Sequence, residues 1–304
     1  DLKTKRIIES CAPCHSRRRV VQEGPKPPHA DFLDYYVPEM IDDDLYYSDG
    51  QILEEDYVYT SFLQSRMYHE KVRCTDCHDA HSVRVKFNDN RLCTQCHVEA
   101  NYDTQQHHFH PDSTQPGTLC VECHMPETRY MGADPRRDHS IRIPRPDLTL
   151  ELGTPNACNL CHNDVRNGET PEWAAQQCEE WYPDSETTDQ YSFGPVALAI
   201  DAGKHRDPAA VDLLYDVTRM TGEEARPLIR ASAVALLDPL QSGGEATQFE
   251  ALESEHGLLR IAAITALQEP LQMEVDSYWS MHQQAVAEMR RAQNVLFPNP
   301  PIGN

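Results

Sequence analysis

Apolar and polar positions follow two different rhythms along this 304-residue chain. From about residue 195 onward, apolar residues recur every three to four positions, the period of a helix with one buried face. "PAAVDLLYDVTRM" (208–220), "ARPLIRASAVALLDPL" (225–240), "LLRIAAITALQEP" (258–270) and "YWSMHQQAVAEMRRAQ" (278–293) all carry it and predict four helices or more. "RASAVALLDPL" and "RIAAITALQEP" also resemble each other, with an arginine, a small and apolar stripe, a leucine, then an acid and a proline. That self-similarity points to stacked helix pairs of HEAT type, with a plain helical bundle as the alternative. The closing "NVLFPNPPIGN" is proline-rich and reads as a loose tail.

Before residue 190 no period lasts. "EGPKPPHADF", "HPDSTQPG" and "IRIPRPDLTLELGTPN" are loop text, because proline fixes φ and removes a backbone donor. Short helices are expected at "YVYTSFLQSRMYH" (57–69) and at five cysteine-bearing units. The fold class expected is mostly α with extensive irregular loops. It divides into a cysteine-rich domain at 1–190 and a small α-helical repeat domain at 191–304.

Those units carry the chemistry. Ten of the 11 cysteines fall in "CAPCH" (11–15), "CTDCH" (74–78), "CTQCH" (93–97), "CVECH" (120–124) and "CNLCH" (158–162). Chance placement of these cysteines and histidines would give roughly 0.02 such pentapeptides, and C-x-x-C-H is the attachment signature of c-type haem. Two thiols three residues apart can each add to one vinyl group of the same porphyrin. The next histidine then lies under the ring as an iron ligand. The haem-attaching residues expected are Cys11, Cys14, Cys74, Cys77, Cys93, Cys96, Cys120, Cys123, Cys158 and Cys161, with His15, His78, His97, His124 and His162 on the iron. Zinc wants four ligands per site, a disulfide framework needs no histidine after each pair, and iron–sulfur clusters take four cysteines each. Five units that all end in histidine fit haem best. Cys178, left over in "EWAAQQCEEWY", reads as a small buried residue.

Ten further histidines remain, seven of them at or before residue 139. The distal ligands expected are His69, His81, His107, His110 and His139. His81 follows its own motif histidine by three residues, too close for the same haem, so it should serve a neighbour. His108 competes with the other histidines of "HHFHP", and His29 is in reserve. Met67, Met125 or Met131 would raise the potential of any haem they bound. With two protein ligands on every iron, the job is electron transfer rather than bond chemistry. The surroundings of haems spread their potentials over about 0.8 V.

Charge narrows the partners. The formal net charge is −22, with acid clusters at 42–44 and 54–56. Nucleic acid is disfavoured, since phosphate binding needs clustered Lys and Arg. The basic run Arg17, Arg18 and Arg19, with Arg136 and Arg137, suits haem propionates. No apolar run approaches the roughly 20 residues that span a bilayer. No secretory signal is visible and no methionine opens the chain, so a removed signal or a fragment of something longer is expected.

"YVYTSFLQSRMYHEKVRCTDCHDAHS", "CVECHMPETRYMGADPRRDHSIRIPRPDLTLELGTPNACNLCH" and "WAAQQCEEWY" resemble a family of multihaem c-type cytochromes. Its members carry C-terminal HEAT-like or tetratricopeptide repeats and are related to the octahaem hydroxylamine-oxidoreductase and nitrite-reductase-like group. The resemblance covers about residues 5–185 and implies a pentahaem cytochrome c domain at 1–190 and a HEAT-like domain with a Pro-rich tail at 191–304. Members bear further haem motifs before the unit matching "CAPCHSRR", so it also implies either an upstream portion or a shortened relative. Five covalent haem c groups, a periplasmic or extracellular place, and redox partners such as cytochromes or quinol- or metal-oxidising and -reducing systems follow as expectations. Two alternatives stand beside electron transfer: an oxidoreductase acting on a small nitrogen or sulfur compound at one open haem, and a filament-forming cytochrome whose helical repeats make the contact.

Overall fold

The computed structural model describes residues 2–41, 45–82, 84–111, 116–183, 194–221, 226–237 and 244–268. The helix expected at 278–293, the tail after it and the acid cluster at 42–44 lie outside them. The described chain is mostly helical, with two two-stranded antiparallel ribbons and long irregular connections. No described helix is long and apolar enough to cross a membrane.

Five helices, Gly194–Lys204, Ala210–Arg219, Pro227–Leu236, Gly244–Leu252 and Gly257–Gln268, form the C-terminal array. Consecutive helices pack together, and Pro227–Leu236 also packs on Gly194–Lys204 and on Gly257–Gln268. Proline opens Pro227–Leu236 where no backbone donor is missed. Leu228, Ala231 and Val234 then face one core, while Ile229 and Ala233 face another. Small residues allow the close approach: Ala231 and Ala233 in this helix, and Ala262 and Ala263 in the last, are fully buried. A helix apolar on two sides is a buried helix.

The array does not pack by itself. One core joins Leu228, Val234, Leu258 and Leu259 to Ile8, Phe32, Tyr59 and Phe62. The other joins Ile200, Leu214 and Ile229 to Ile41, Tyr46 and Tyr130. Residues 2–65 thus sit on the helices as part of the same hydrophobic interior. From 66 to 183 the picture reverses. There the described buried hydrophobic residues are Tyr130, Leu148 and Ala174, besides Pro146.

The helix expected at 57–69 is two helices, Val58–Leu63 and Arg66–His69. Ser65 divides them. Its hydroxyl donates to the Phe62 carbonyl at 2.7 Å and accepts from the Tyr68 amide at 3.1 Å, the behaviour of a serine N-cap. The ribbon Glu127–Tyr130 with Asp134–Arg137 leads directly into Asp138 and His139.

Candidate functional site

Each C-x-x-C-H unit folds as about one helical turn. The histidine amide bonds back to the first cysteine carbonyl in four of them: His15 to Cys11 at 3.1 Å, His78 to Cys74 at 2.9 Å, His97 to Cys93 at 3.0 Å and His162 to Cys158 at 2.8 Å. In the other, Cys120–His124 is itself α-helix. This turn puts both thiols and the imidazole on neighbouring edges of one short helix.

Thiols of successive units lie near one another. Cys74 lies against Cys11, Cys77 beside Cys96, Cys93 against Cys120, and Cys123 beside Cys158 and Cys161. The units are therefore strung in chain order. Burial, more than these neighbours, pushes the Cys74 thiol up to about 12 and that of Cys123 up to about 11. Both stay protonated at neutral pH, where a thiolate would invite oxidation.

Three motif histidines face a second imidazole. His78 and His139 have ring centres 6.3 Å apart with planes 21° from parallel. His107 and His124 stand 6.1 Å apart at 16°, and His110 and His162 stand 6.1 Å apart at 34°. Two imidazoles bonded at about 2.0 Å to opposite sides of one metal ion would have ring centres about 6.3 Å apart. The spacing suits an iron between each pair.

The outer nitrogens are engaged. Nδ1 of His139 donates to the Arg137 carbonyl at 2.9 Å, Nδ1 of His124 to Arg142 at 2.8 Å and Nδ1 of His110 to His108 at 2.7 Å. Nδ1 of His162 meets Glu169 Oε1 at 3.3 Å. A proton held on Nδ1 leaves the Nε2 lone pair for a metal, and such partners also fix the ring. His69 follows the same rule: its ring bonds the Leu63 carbonyl, while its buried Nε2 has no hydrogen-bond partner. Burial is the first cause of the lowered pKa of His69, His107, His124 and His139. These imidazoles are neutral, as ligands must be.

His108 is arranged the other way. Its Nδ1 accepts from the His110 amide at 3.1 Å, so the proton of the neutral ring sits on Nε2. His15 is exposed and close enough to His139 to help lower its pKa. His97 is exposed and meets the edge of Tyr102 at 5.7 Å. His81 is also exposed, on a turn where the His81 and Ser82 amides both bond Asp79 Oδ1. Among the described residues it faces no motif histidine. His29 is exposed as well.

Several supporting residues carry no motif signal. Phe109 stacks on Trp181 with ring centres 4.3 Å apart and planes 2° from parallel, and the Tyr182 hydroxyl bonds the His107 carbonyl. The end of helix Pro171–Trp181 thus clamps the segment that bears His107 and His110. Thr170 caps that helix by accepting from the Trp173 amide. Asp138, buried beside His139, accepts from the Ser61 hydroxyl and from the Ser140 amide. Cys178 is half-buried, with its thiol hydrogen-bonded to that of Cys158. Arg136 pairs with Glu55 and Asp134 at 2.7 Å each, and Arg137 donates to the carbonyls of Val121 and Met125.

Among the described residues no group of three or more His, Cys, Asp and Glu side chains converges as a bare metal site. The imidazoles meet in twos. No protein-family model matches the chain, and no curated protein does. Among solved structures, the crystal structure of the outer cell wall cytochrome OcwA is similar over 86% of this chain at 16% identity, with a TM-score of 0.43. The chain spans 64% of the length of that one.

Proposed function

We propose that this chain is a multihaem c-type cytochrome that binds five haems covalently and transfers electrons outside the cytoplasm, handing them between other redox proteins. One observation carries the reading. Three C-x-x-C-H histidines face a second imidazole at 6.1–6.3 Å, with anchored Nδ1 atoms on one or both rings. Haem supplies a one-electron centre and takes two axial ligands from the protein, which is the number that meets at each of these points. Tetrahedral zinc would ask for four.

The residues divide the work. The ten motif cysteines hold the porphyrins. His78 with His139, His124 with His107, and His162 with His110 cap both faces of three of them. His69 serves the first unit, whose Cys11 meets Cys74 only five residues beyond it. The backbone carbonyls of Arg137, Arg142, His108 and Leu63 keep the imidazoles oriented and make them better donors. The thin apolar interior of 66–183 supports the same reading, because porphyrins would supply the missing filling. The helices from residue 194 are a HEAT-like scaffold against which the first unit is braced.

The third unit favours a second reading, an oxidoreductase with one open haem that acts on a small nitrogen or sulfur compound. His97 is exposed and meets Tyr102 rather than an imidazole. One experiment tests both. Haem per chain is counted in the purified protein, and its spectrum is recorded oxidised and reduced, with and without carbon monoxide. Five low-spin haems and no carbon monoxide shift mean a carrier. One fifth of the haem binding carbon monoxide means an open third unit. Fewer than five haems per chain refutes the pentahaem assignment.

A further inference from the structure

Positive charge is scarce in this chain and unevenly placed. Residues 2–26 hold seven Lys and Arg against Glu9 and Glu23, a formal charge of +5. Residues 146–183 hold seven Asp and Glu against Arg166 alone, a formal charge of −6. The first segment contains the first C-x-x-C-H unit and the second contains the fifth. Thiols of each unit lie near those of the next in chain order, so these are the two ends of the row.

Both charged segments reach the surface beside their units. Arg6, Arg17 and Arg19 are exposed, as are Cys14 and His15 among them, whereas Lys5 is already paired with Glu9 and with Asp31. Glu151, Glu172, Glu179 and Glu180 are exposed, as is Cys161. Among the described residues none of these four glutamates is in an ion pair. Glu180 takes only the side-chain amides of Gln176 and Gln177. Asp147 is different, since Arg145 already neutralises it at 2.5 Å.

We propose that copies of this chain associate head to tail, the basic face around the first unit of one copy meeting the acidic face around the fifth unit of the next. A two-fold dimer through either face would set like charges against each other, which costs affinity. Opposite faces on one molecule make a heterologous contact, and such a contact repeats into an open chain unless its rotation closes. The redox consequence rests on the proposed function: the contact carries the row of haems from one copy into the next. The association itself rests on charge, and it runs through the haem-bearing portion rather than the helical array.

The test uses the intact haem-loaded protein in sedimentation velocity at about 0.02 M and about 0.5 M salt, across the range where screening of surface charges becomes strong. Wild type should form concentration-dependent oligomers at low salt that dissociate at high salt. Arg6→Glu with Arg19→Glu, and separately Glu172→Lys with Glu179→Lys, should each weaken association about tenfold or more. An equimolar mixture of the two variants should associate again, because the unaltered acidic face of the first variant meets the unaltered basic face of the second. A monomeric wild type at low salt, variants that associate like wild type, or a mixture that stays dissociated would each overturn the proposal. Haem per chain, counted on the same samples, reports on the proposed function separately. A basic face reserved for another acidic redox protein would show as the monomeric wild type.

Discussion

The histidine cluster at 107–110 offers three imidazoles within four residues and asks for a decision among them. His107 faces His124, and His110 faces His162, each at 6.1 Å. His108 uses Nδ1 to accept from the His110 amide, which puts its proton on Nε2. Replacing His107 or His110 with alanine should therefore open one haem in five. The double replacement should open two in five, and His108→Ala should open none. What His108→Ala does lose is one hydrogen bond, worth about 0.5–1.5 kcal/mol net, or roughly a two- to tenfold loosening of the turn. That loosening leaves the ligand in place. The assay is the carbon monoxide difference spectrum of the reduced protein, normalised to total haem. A fifth of the haem binding carbon monoxide in His108→Ala, with none in His107→Ala or His110→Ala, would refute the pairing and the reasoning from ring tautomers with it.

Other expectations follow the same geometry. His139→Ala should open one haem in five, whereas His81→Ala, at an exposed position that faces no described motif histidine, should leave the spectrum unchanged. The reverse pattern would restore His81 as a ligand. Leu228→Ala cuts into the core shared with Ile8 and Phe32 and should cost about 2–5 kcal/mol. Haem-region and far-ultraviolet circular dichroism should then report one lowered melting temperature, and separate transitions would show that the cores are not shared. Burial raises the pKa of Glu9, against the opposing pull of Lys5 and the Phe32 amide. The fold binds more protons there than the unfolded chain does, so this group's contribution is present below its unfolded pKa, near 4.5, and is lost as pH rises through the folded value. Glu9→Gln should accordingly raise the melting temperature at pH 7 and lose that advantage by about pH 4; a lowered melting temperature at pH 7 would show that the charged form is the favoured one.

How much of this is legible in the sequence depends on how local the cause is. The C-x-x-C-H units are legible because each is a fixed pentapeptide that folds as about one local helical turn. Helices Ala210–Arg219 and Pro227–Leu236 lie inside their periodic stretches, and Gly257–Gln268 starts one residue before its own. Gly194–Lys204 is harder to see, because Val196, Ala197, Ala199, Ile200 and Gly203 are all buried and leave little alternation to detect. The break at Ser65 has a signal, a serine N-cap inside an apolar run, but nothing before folding says the cap wins. The choice among His107, His108 and His110 has no sequence signal, since it rests on which carbonyl or amide each Nδ1 finds. Spacing singles out His81, and in the structure Asp79 holds its backbone in an exposed turn. The Phe109–Trp181 clamp joins residues 72 apart, and the shared cores join residues more than 190 apart. Pairing at that range leaves no local periodicity to read.

The core that joins Ile8 to Leu258 and Leu259 also sets a schedule. A chain is made from its N-terminus, so the first C-x-x-C-H unit is synthesised long before helix Gly257–Gln268, which helps to cover Ile8, is complete. Until then the Leu2–Cys11 helix can close only against the earlier members of that core, Phe32, Tyr59 and Phe62 among them. Completion of helix Gly257–Gln268 thus closes the core beside the first unit. Compact packing around that unit becomes a sign that the chain through helix Gly257–Gln268 has arrived.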